Sequence, residues 1–392
     1  MATAESSWGT GFGAHGRSNF GLRRATAAPW RHLDLVLLSA VGIIQAVGLL
    51  MVFSTTRGPT PPYKYGFVTK QALFVAIGLA VMAVATFVDY RRVRDYALFI
   101  YGFGVFLLFV VLVPGIGTSA KGHQSWISLG SFQLQPSEFC KLSVIVGIAA
   151  MATHFHGDID LRRLGVLLAM AVVPMMLVLL QGDLGTTLVF LVVVPTILVV
   201  AGAKGKHLAA LLGLAILAGA LVLGSGMLHK YQQDRLTTFL HQDETGNGQT
   251  AAYNLNQAKI AIGSGKFFGQ GFGKGAQTRL GNVPEQHTDF IFTAVGEQFG
   301  FFGSALLMAL FCLAVWRIWR TSQLSRDEFG TYLCVGILAM LVFHTFENAG
   351  MTMGIMPITG IPLPFMSYGG SSTVLNFAAI GLVLNVHMRR FA

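Results

Sequence analysis

Charged residues are scarce in this sequence. Only 11% of its 392 residues are Asp, Glu, Lys or Arg, whereas a soluble domain carries about 25%. Because 53% of the residues are hydrophobic, so much apolar surface cannot be hidden in a water-soluble core. The composition therefore excludes an ordinary soluble protein and predicts an integral membrane protein in contact with a lipid bilayer.

Acidic residues and cysteines are also few. The 17 acidic residues are outnumbered by 27 basic ones, which gives a formal net charge of +10. The basic residues fall in short segments between apolar runs, where positive charge sets membrane orientation, so we expect no nucleic-acid partner. The three cysteines, Cys140, Cys312 and Cys334, all lie in apolar stretches, which excludes a disulfide framework and a cysteine metal site.

The apolar runs set the fold class. Residues 1–30 lack the apolar core of a signal peptide and are predicted to be a disordered cytoplasmic tail. Residues 31–392 show no internal repeat or linker and are predicted to form a single transmembrane domain. Since a helix needs about 20 apolar residues to cross the hydrocarbon, we predict an all-α polytopic fold with about ten transmembrane helices. They lie near residues 33–54, 68–88, 96–114, 134–153, 163–181, 185–203, 207–228, 288–317, 329–351 and 368–388.

Basic residues distinguish the two sides of these spans. Most basic residues fall in the N-terminal tail and in the segments that follow spans 2, 4, 6, 8 and 10, whereas the short loops of the other side hold only Arg57, Lys64, Lys70 and Lys121. The positive-inside rule therefore places both termini in the cytoplasm. It also makes the polar stretch 229–287 a large extracytoplasmic loop between the seventh and eighth predicted transmembrane helices.

This extracytoplasmic stretch is rich in Gly, Gln, Asn and Thr. Its apolar pairs, among them Phe267-Phe268, predict an ordered segment that lies on or in the membrane surface. Its run Gly269-Gln-Gly-Phe-Gly-Lys-Gly275 lacks the spacing of a nucleotide-binding P-loop, because no Ser or Thr follows Lys274. We expect these glycines to allow close turns instead.

Ionisable residues mark the start of the fourth span, which reads Gln135-Pro-Ser-Glu-Phe-Cys-Lys141. Glu138 and Lys141 are three residues apart and share a helix face. An ionised side chain inside a membrane costs at least ~2.5–3.5 kcal/mol unless it is paired or hydrated. Two interpretations are open: a structural ion pair near the outer interface, or part of the lining of a polar cavity open to the outside.

Two further acidic segments precede predicted helices. Asp183 follows Gln181-Gly in a predicted tight turn, where it is expected to cap the next helix, with a contribution to a substrate cavity as the alternative. Before the eighth span, Thr288 or Asp289 is expected to provide the cap. Asp289 and Glu297 are expected to lie on similar faces, where they suit a cavity wall or cation coordination.

The last polar stretch, residues 348–372, has three prolines, several glycines and no charge. Such breaks at membrane depth must be buried in protein or line a wet cavity. This stretch, the Gln-Pro-Ser-Glu segment, Ile260-Ala-Ile-Gly-Ser-Gly265 and Pro284-Glu-Gln-His-Thr-Asp-Phe-Ile-Phe292 resemble, in the same order, the motifs of the SEDS family (shape, elongation, division and sporulation), the RodA/FtsW proteins of bacteria. The resemblance covers residues 33–390.

The resemblance implies a peptidoglycan glycosyltransferase that polymerises lipid II into glycan strands on the outer face of the bacterial cytoplasmic membrane. The form Thr359-Gly-Ile-Pro-Leu-Pro-Phe365 is similar to that of elongation members, so a role in cell elongation and rod-shape maintenance is expected, with cell division as the alternative. A lipid II flippase and a non-catalytic scaffold are the other alternative functions.

The resemblance also implies site residues. The family's essential Asp lies between two runs that resemble Arg235-Leu-Thr-Thr-Phe-Leu240 and Thr250-Ala-Ala-Tyr-Asn254, which makes Asp243 the implied general base. The intervening segment is longer than usual and lacks the family's Asp-Pro pairs, so Glu244 is the alternate. The implied substrate-binding residues are Lys121, Gln124, Trp126, Gln135, Glu138, Lys141, Asp183, His287, Asp289 and Ser367.

Partners and a cofactor follow from the same resemblance. A class B penicillin-binding protein, which is a transpeptidase, and other membrane proteins of the elongation machinery are the implied protein partners. Because a polyprenyl pyrophosphate leaves in this reaction, we expect a divalent cation, Mg²⁺ or Mn²⁺, whose ligands the sequence leaves open.

Overall fold

A computed structural model describes residues 32–58, 60–113, 117–120, 123–129, 132–156, 159–224, 235, 239 and 250–391. Its helices, in chain order, are α1 Leu35–Thr56, α2 Gly66–Phe87, α3 Tyr90–Asp95, α4 Ala97–Leu112, α5 Pro136–His154, α6 Leu161–Leu180, α7 Leu184–Val200, α8 Gly205–Gly224, α9 Thr250–Ser264, α10 Ala276–Leu280, α11 Ile291–Gln323, α12 Glu328–Met353 and α13 Gly370–Met388. Three strands, β1 Gly117–Ala120, β2 His123–Leu129 and β3 Phe132–Leu134, lie between α4 and α5.

Most of the long helices can cross a membrane. In the described part of the chain, seven are long and apolar enough to do so: α1, α2, α5, α6, α11, α12 and α13. The apolar helices α4 and α7 are shorter, with 16 and 17 residues, and α8 has 20 residues. The polytopic helical fold is confirmed, and the number of ten crossings stays a prediction.

The centre of the bundle is formed by α5, α12 and α13. In their apolar windows, 78%, 72% and 78% of the residues are buried, against 22% in α2 and in α11. Since lipid is as apolar as a leucine side chain, burial here reports packing between helices rather than hydrophobicity. The cysteines follow this division, because Cys140 in α5 and Cys334 in α12 are buried and Cys312 in α11 is exposed.

The sheet between α4 and α5 was not predicted from the sequence. Its strands form an antiparallel meander in the order β1-β2-β3, with a register shift between Thr118 and Ser119. The hydroxyl of Ser125 in β2 donates to the carbonyl of Gln181, 3.3 Å away, beyond the end of α6. The sheet therefore lies beside the starts of α5 and α7.

One end of the bundle carries paired basic residues. Asp34 caps α1 and pairs with Arg317 near the end of α11, with 2.8 Å between Nη2 and Oδ2. At the same end, Arg389 pairs with Asp89, with 3.3 Å between Nη1 and Oδ2. We call this end, where α1 begins and α13 ends, the basic end. We call the opposite end, where α12 ends and α13 begins, the loop end.

Tyr90 closes the basic end between α3 and α12. Its hydroxyl donates to Oδ2 of Asp327 at 2.9 Å, and its ring stacks on Phe329 at a centroid distance of 6.2 Å. Burial, together with the hydrogen bond to Asp327 and its negative charge, raises the pKa of Tyr90 to about 12. The hydroxyl is therefore a permanent donor at physiological pH, and it holds the start of α12 against α3.

Candidate active site

A non-helical loop of residues 354–369 joins α12 to α13 at the loop end. Gly354 ends α12 in the left-handed region with a φ of 78°, and three prolines then prevent further helix. Ile361, Leu363 and Phe365 of this loop are buried. The prediction that such a break is enclosed by protein is confirmed.

Side chains replace the missing helical bonds of this loop. The hydroxyl of Ser367 accepts from the amide of Leu363 at 2.9 Å. From α2, the side chain of Gln71 donates to the carbonyl of Ser367 at 3.3 Å and accepts from the amide of Gly369 at 3.2 Å. Ser367, a predicted substrate-binding residue, is 4% exposed and hydrogen-bonds the loop itself. Its hydroxyl is therefore engaged within the loop, and its binding of substrate stays a prediction.

The segment 359–361 runs between α12 and the predicted residue Asp289. Asn348 of α12 donates to the carbonyls of Asp289, at 2.7 Å, and Ile361, at 2.8 Å. A Cβ placed on Gly360, whose φ is +78°, would lie 3.3 Å from Oδ2 of Asp289 and 3.7 Å from both Nη atoms of Arg235. The Asp289 carboxylate and the Arg235 guanidinium therefore flank the backbone at Gly360.

Asp183 joins the starts of α5 and α7. Its Oδ1 accepts from the amide of Thr186 at 2.9 Å, so the predicted helix cap is confirmed. Its Oδ2 accepts from the hydroxyl of Ser137 at 3.0 Å and from the side chain of Gln135 at 3.4 Å. The amide of Gln135 also donates to Ser371 Oγ at 3.0 Å, which connects this group to the start of α13.

The start of α7 also packs directly on the loop of residues 354–369. A Cβ on Gly185 would lie 2.7 Å from Cγ1 of Ile361 and 3.4 Å from the carbonyl oxygen of Thr359. Only a residue without a side chain allows this approach. The helix that Asp183 caps therefore packs on the same segment, residues 359–361, that Asp289 and Arg235 flank.

Glu138 and Lys141 form the predicted ion pair, buried inside the bundle. The Lys141 Nζ lies 2.8 Å from Oε1 of Glu138 and 3.2 Å from Nε2 of His344 on α12. The side chains of Lys141 and Glu138 are 2% and 6% exposed. Removing one partner of such a buried pair costs about 3–5 kcal/mol, because the remaining charge is left unpaired. The pair is therefore a fixed structural element beneath the loop end.

Glu347, which the sequence analysis missed, is a second buried carboxylate near the loop. It is 0% exposed, and its Oε1 accepts from the hydroxyl of Thr359 at 2.9 Å. Among the described residues, its Oε2 has no hydrogen-bond partner. A sequence signal was present, since an ionisable residue inside an apolar span is by default a functional candidate. His344 is also an ionisable residue inside this apolar span, so the sequence marks it as a candidate as well.

His287 belongs to an aromatic group at the surface of the loop end. Its ring centroid lies 4.9 Å from that of Phe67 and 5.6 Å from that of Tyr368. The backbone carbonyl of His287 accepts from the amide of Tyr368 at 2.8 Å. Burial raises the pKa of the Tyr368 hydroxyl. This group brings the segment before α11 against the loop of residues 354–369, next to Ser367.

The expectations for Thr288, Asp289 and Glu297 need correction. Helix α11 begins after Phe290, with no side-chain cap, because residues 285–290 form a turn of their own. The carboxylate of Glu297, 0% exposed, accepts from the amides of Gln277, at 2.7 Å, and Thr278, at 3.0 Å. Glu297 therefore caps α10 and does not share a cavity wall with Asp289.

The remaining predicted residues lie in or beyond the sheet. Trp126 is half-buried and pairs with Thr118 across β1 and β2, and the backbone of Gln124 pairs with Ser119. Lys121, Asp243 and Glu244 lie outside the described residues.

The described carboxylates do not fit a divalent cation. No group of three or more Asp, Glu, His or Cys side chains in this part of the chain could hold a metal ion. Asp183 and Glu297 use their oxygens as helix caps, and Glu138 is paired with Lys141. We therefore assign no cation ligand among them.

The sequence of this chain is similar to those of known bacterial proteins. Residues 34–391 match the profile of a family described as cell cycle protein, FtsW/RodA/SpoVE. The chain is 35% identical over 361 residues to stage V sporulation protein E of Bacillus subtilis (strain 168), covering 90% of this chain and 96% of the relative. It is also 35% identical over 363 residues to "Probable peptidoglycan glycosyltransferase FtsW" of Geobacter sp. (strain M18), covering 91% and 97%.

A relative with another name is almost as similar. Peptidoglycan glycosyltransferase MrdB of Escherichia coli (strain K12) is 31% identical over 363 residues, covering 92% of this chain and 94% of that protein. The preference for the elongation type, taken from residues 359–365, is therefore not supported over the division type, since FtsW relatives are at least as similar.

Solved structures give the same result. A chain from work titled "Structural coordination of polymerization and crosslinking by a peptidoglycan synthase complex" has a TM-score of 0.77 and 28% identity, covering 92% of this chain and 98% of that one. The rod shape determining protein RodA of Thermus thermophilus has a TM-score of 0.69 and 27% identity, with the same coverage. The chain thus belongs to the FtsW/RodA/SpoVE family, here called SEDS, and with its seven apolar helices it is a multi-pass protein of the bacterial cytoplasmic membrane.

Proposed function

We propose that the chain is a peptidoglycan glycosyltransferase that polymerises lipid II, a disaccharide carried on polyprenyl pyrophosphate, at the loop end. The observation that carries this proposal is the concentration of buried polar side chains around residues 354–369. Asp183, the Glu138–Lys141 pair and Glu347 all lie at or beneath this loop. At the basic end, by contrast, Asp34, Asp89 and Asp327 are engaged in bonds between helices.

The chemistry requires one base. A sugar hydroxyl of one lipid-linked glycan attacks the anomeric carbon of another, and the bond to the polyprenyl pyrophosphate breaks. The departing pyrophosphate is a weak base and needs no proton, unlike the leaving group of a glycoside hydrolase, which usually requires a second carboxyl group. The hydroxyl proton passes to a single general base, for which we propose Asp243, with Glu244 as the alternate.

Arg235 supports the placement of this base. The sequence from Arg235 to Leu240 leads directly to Asp243, and the Arg235 guanidinium lies beside Gly360 and the Asp289 carboxylate. A guanidinium at this position adds positive charge where a pyrophosphate would have to be held. The segment that carries the proposed base therefore starts beside Gly360, in the loop of residues 354–369.

Divalent-cation dependence remains a proposal without ligands in the described part of the chain. Mg²⁺ or Mn²⁺ would neutralise the pyrophosphate during its departure. Because Asp183, Glu297 and Glu138 are already engaged in caps and an ion pair, we expect the substrate's own phosphate oxygens to supply most of the coordination. Loss of polymerisation in a chelator, and its return on adding Mg²⁺ or Mn²⁺, would support this; full activity in the chelator would contradict it.

A glycan-ladder assay on purified protein in lipid vesicles tests the activity. We expect Asp243→Ala to abolish polymerisation, while the neighbouring Glu244→Ala, its matched control, retains it. Inactivity of Glu244→Ala with an active Asp243→Ala would move the base by one residue. Transfer of intact lipid II across the vesicle membrane without glycan synthesis would indicate the flippase instead, and neither activity, even with a transpeptidase present, would indicate a scaffold.

We also propose a class B penicillin-binding protein as the partner that cross-links the product. Support comes from a matched chain of known structure, which belongs to a peptidoglycan synthase complex described as coordinating polymerization and crosslinking. Whether the pair serves elongation or division is decided by where a tagged copy localises. Lateral-wall localisation, and rescue of shape in a strain without its elongation polymerase, would support elongation, and midcell localisation would support division.

A further inference from the structure

Helix α11 is interrupted at Gly300, where φ is 66° and ψ is −160°. This break removes the helical bonds that the amides of residues 301 and 302 would make to the carbonyls of residues 297 and 298. The turn of residues 265–271, which follows α9, takes over all four groups. The amides of Phe301 and Phe302 donate to the carbonyls of Lys266, at 2.9 Å, and Phe267, at 3.1 Å.

The two carbonyls are satisfied by the same turn. The amides of Gln270 and Gly271 donate to the carbonyls of Glu297, at 2.9 Å, and Gln298, at 3.0 Å. Glycine is required for this contact, because a Cβ on Gly269, at φ +80°, would overlap the backbone of Gln298. Four main-chain bonds therefore hold the turn in the break of α11, and none of them uses the side chain of Phe267 or Phe268.

Phe267 and Phe268 of the turn form an exposed aromatic patch with Phe301 and Phe302 of α11, and we define the patch as these four residues. Their exposed fractions are 64%, 81%, 62% and 56%. Phe268 stacks on Phe302 with ring centroids 5.2 Å apart, and Phe267 meets Phe301 edge-on at 6.2 Å. Four large aromatic side chains this exposed would be unfavourable in water.

The position of the patch along α11 indicates what covers it. Near the basic end, Trp316 and Trp319 are 45% and 52% exposed, beside Arg317 and Arg320, as expected at a membrane interface. From these tryptophans to Phe301 and Phe302, a rise of 1.5 Å per residue gives about 21–27 Å, slightly less than the hydrocarbon thickness of about 30 Å. The patch therefore lies within the opposite leaflet, near its interface.

The exposed face of α11 is continuous between these two levels. Residues 305, 306, 309 and 312 are exposed along the same helix and are all apolar. Lys266, in the same turn as Phe267 and Phe268, and Lys274, three residues after that turn, are both exposed. Aromatic side chains in the acyl region with lysines beside them at the headgroups are the arrangement of an interfacial membrane anchor.

We propose that the aromatic patch is an anchor that inserts into the outer leaflet of the bilayer and fixes the height of the extracytoplasmic segment above the membrane. Its partner is the lipid surface, with acyl chains against the phenylalanines and lipid phosphates near Lys266 and Lys274. Helix α9 leads into this turn and α10 follows it. The anchor therefore sets the height above the membrane at which the loop end meets membrane-bound molecules. This proposal does not depend on the proposed catalytic activity.

Depth-dependent quenching tests it on the full chain. Phe268→Cys is made in a Cys312→Ala background, since Cys140 and Cys334 are buried, and it is labelled with an environment-sensitive fluorophore in vesicles of phosphatidylglycerol and phosphatidylcholine. We expect lipids with a nitroxide near the headgroup to quench this label roughly twofold more than lipids with a nitroxide near the chain end, with little quenching by aqueous iodide.

Arg279→Cys in the same background is the matched control. Arg279 is exposed on α10 of the same segment, and its label should be quenched by iodide and not by lipid nitroxides. Iodide quenching of the Phe268→Cys label equal to that of the Arg279→Cys label would overturn the proposal. Protection of the Phe268→Cys label from both quenchers would indicate that a second protein chain covers the patch, which would overturn it as well.

Discussion

At the level of single residues, the loop end is held by polar side chains that bond to backbone groups and to one another inside the bundle. Asn348 donates to two carbonyls from different segments, and Gln71 bonds to the carbonyl of Ser367 and the amide of Gly369. A buried donor or acceptor that loses its partner costs about 1–3 kcal/mol. Individual substitutions of these residues should therefore lower the stability of the folded protein, and any loss of activity should follow from that loss of stability.

Thr359 allows this to be measured. We expect Thr359→Val, which keeps the shape but removes the hydroxyl that bonds Glu347, to lower the free energy of unfolding by about 1–3 kcal/mol. Thr359→Ser keeps the donor and should stay within about 1 kcal/mol of the parent protein. Thermal or denaturant unfolding of both variants in detergent makes the comparison. Equal stability of the Val and Ser variants would show that the Thr359–Glu347 bond contributes nothing.

The sequence predicts some of these residues well and others poorly, for physical reasons. Asp183 and Glu138 were identified because a cap and a charge pair at spacing i, i+3 are local patterns. Glu347 was missed because its partner Thr359 is set by the fold of the loop, which no local pattern specifies. The expected cap at Thr288 or Asp289 was wrong because the turn at residues 285–290 ends one residue before α11.

At the level of elements, apolar helices were the most predictable. The starts of α5 and α7 lie within two residues of their predicted positions, because Pro136 and Asp183 are strong start signals. The sheet of β1 to β3 and the polar helix α9 were missed. Short strands next to turn residues leave little alternation to detect, and α9 owes its position to packing of Leu255, Ala258 and Ala261 in a small hydrophobic cluster.

The break in α11 gives a prediction at this level. We expect Gly269→Ala to destabilise the protein by at least about 1 kcal/mol, because the added methyl group meets the backbone of Gln298 at a positive φ. Gly263→Ala, at an exposed position of α9 with nothing within 4 Å of its Cβ, should be neutral or stabilising by up to about 1 kcal/mol. Parallel unfolding curves decide this, and the same effect for both substitutions would refute the close contact.

At the level of the whole molecule, charge asymmetry defines the orientation. Arginines of α3 and of the ends of α11 and α13 lie at the basic end, while the buried polar region lies at the loop end. The positive-inside rule places the basic end in the cytoplasm. The family-level fold was therefore accessible from the sequence, whereas the contacts between helices that build the site were not.

Orientation can be tested directly in intact cells. In the Cys312→Ala background, we expect Arg162→Cys, at the start of α6, to react with a membrane-impermeant maleimide only after the cells are permeabilised. Arg279→Cys, on α10, should react in cells whose cytoplasmic membrane is intact. Reaction of both cysteines before permeabilisation, or of neither, would contradict the predicted orientation.

The main-chain bonds between the turn of residues 265–271 and α11 also determine which changes of length the protein can tolerate. A substitution of Phe267 or Phe268 leaves all four bonds in place, since none involves a side chain. Adding or deleting one residue between Lys266 and Gly271 would shift two amides and two carbonyls out of alignment with their partners at once. The backbone geometry of this surface is therefore independent of which apolar side chains it presents, but it depends on the number of residues that present them.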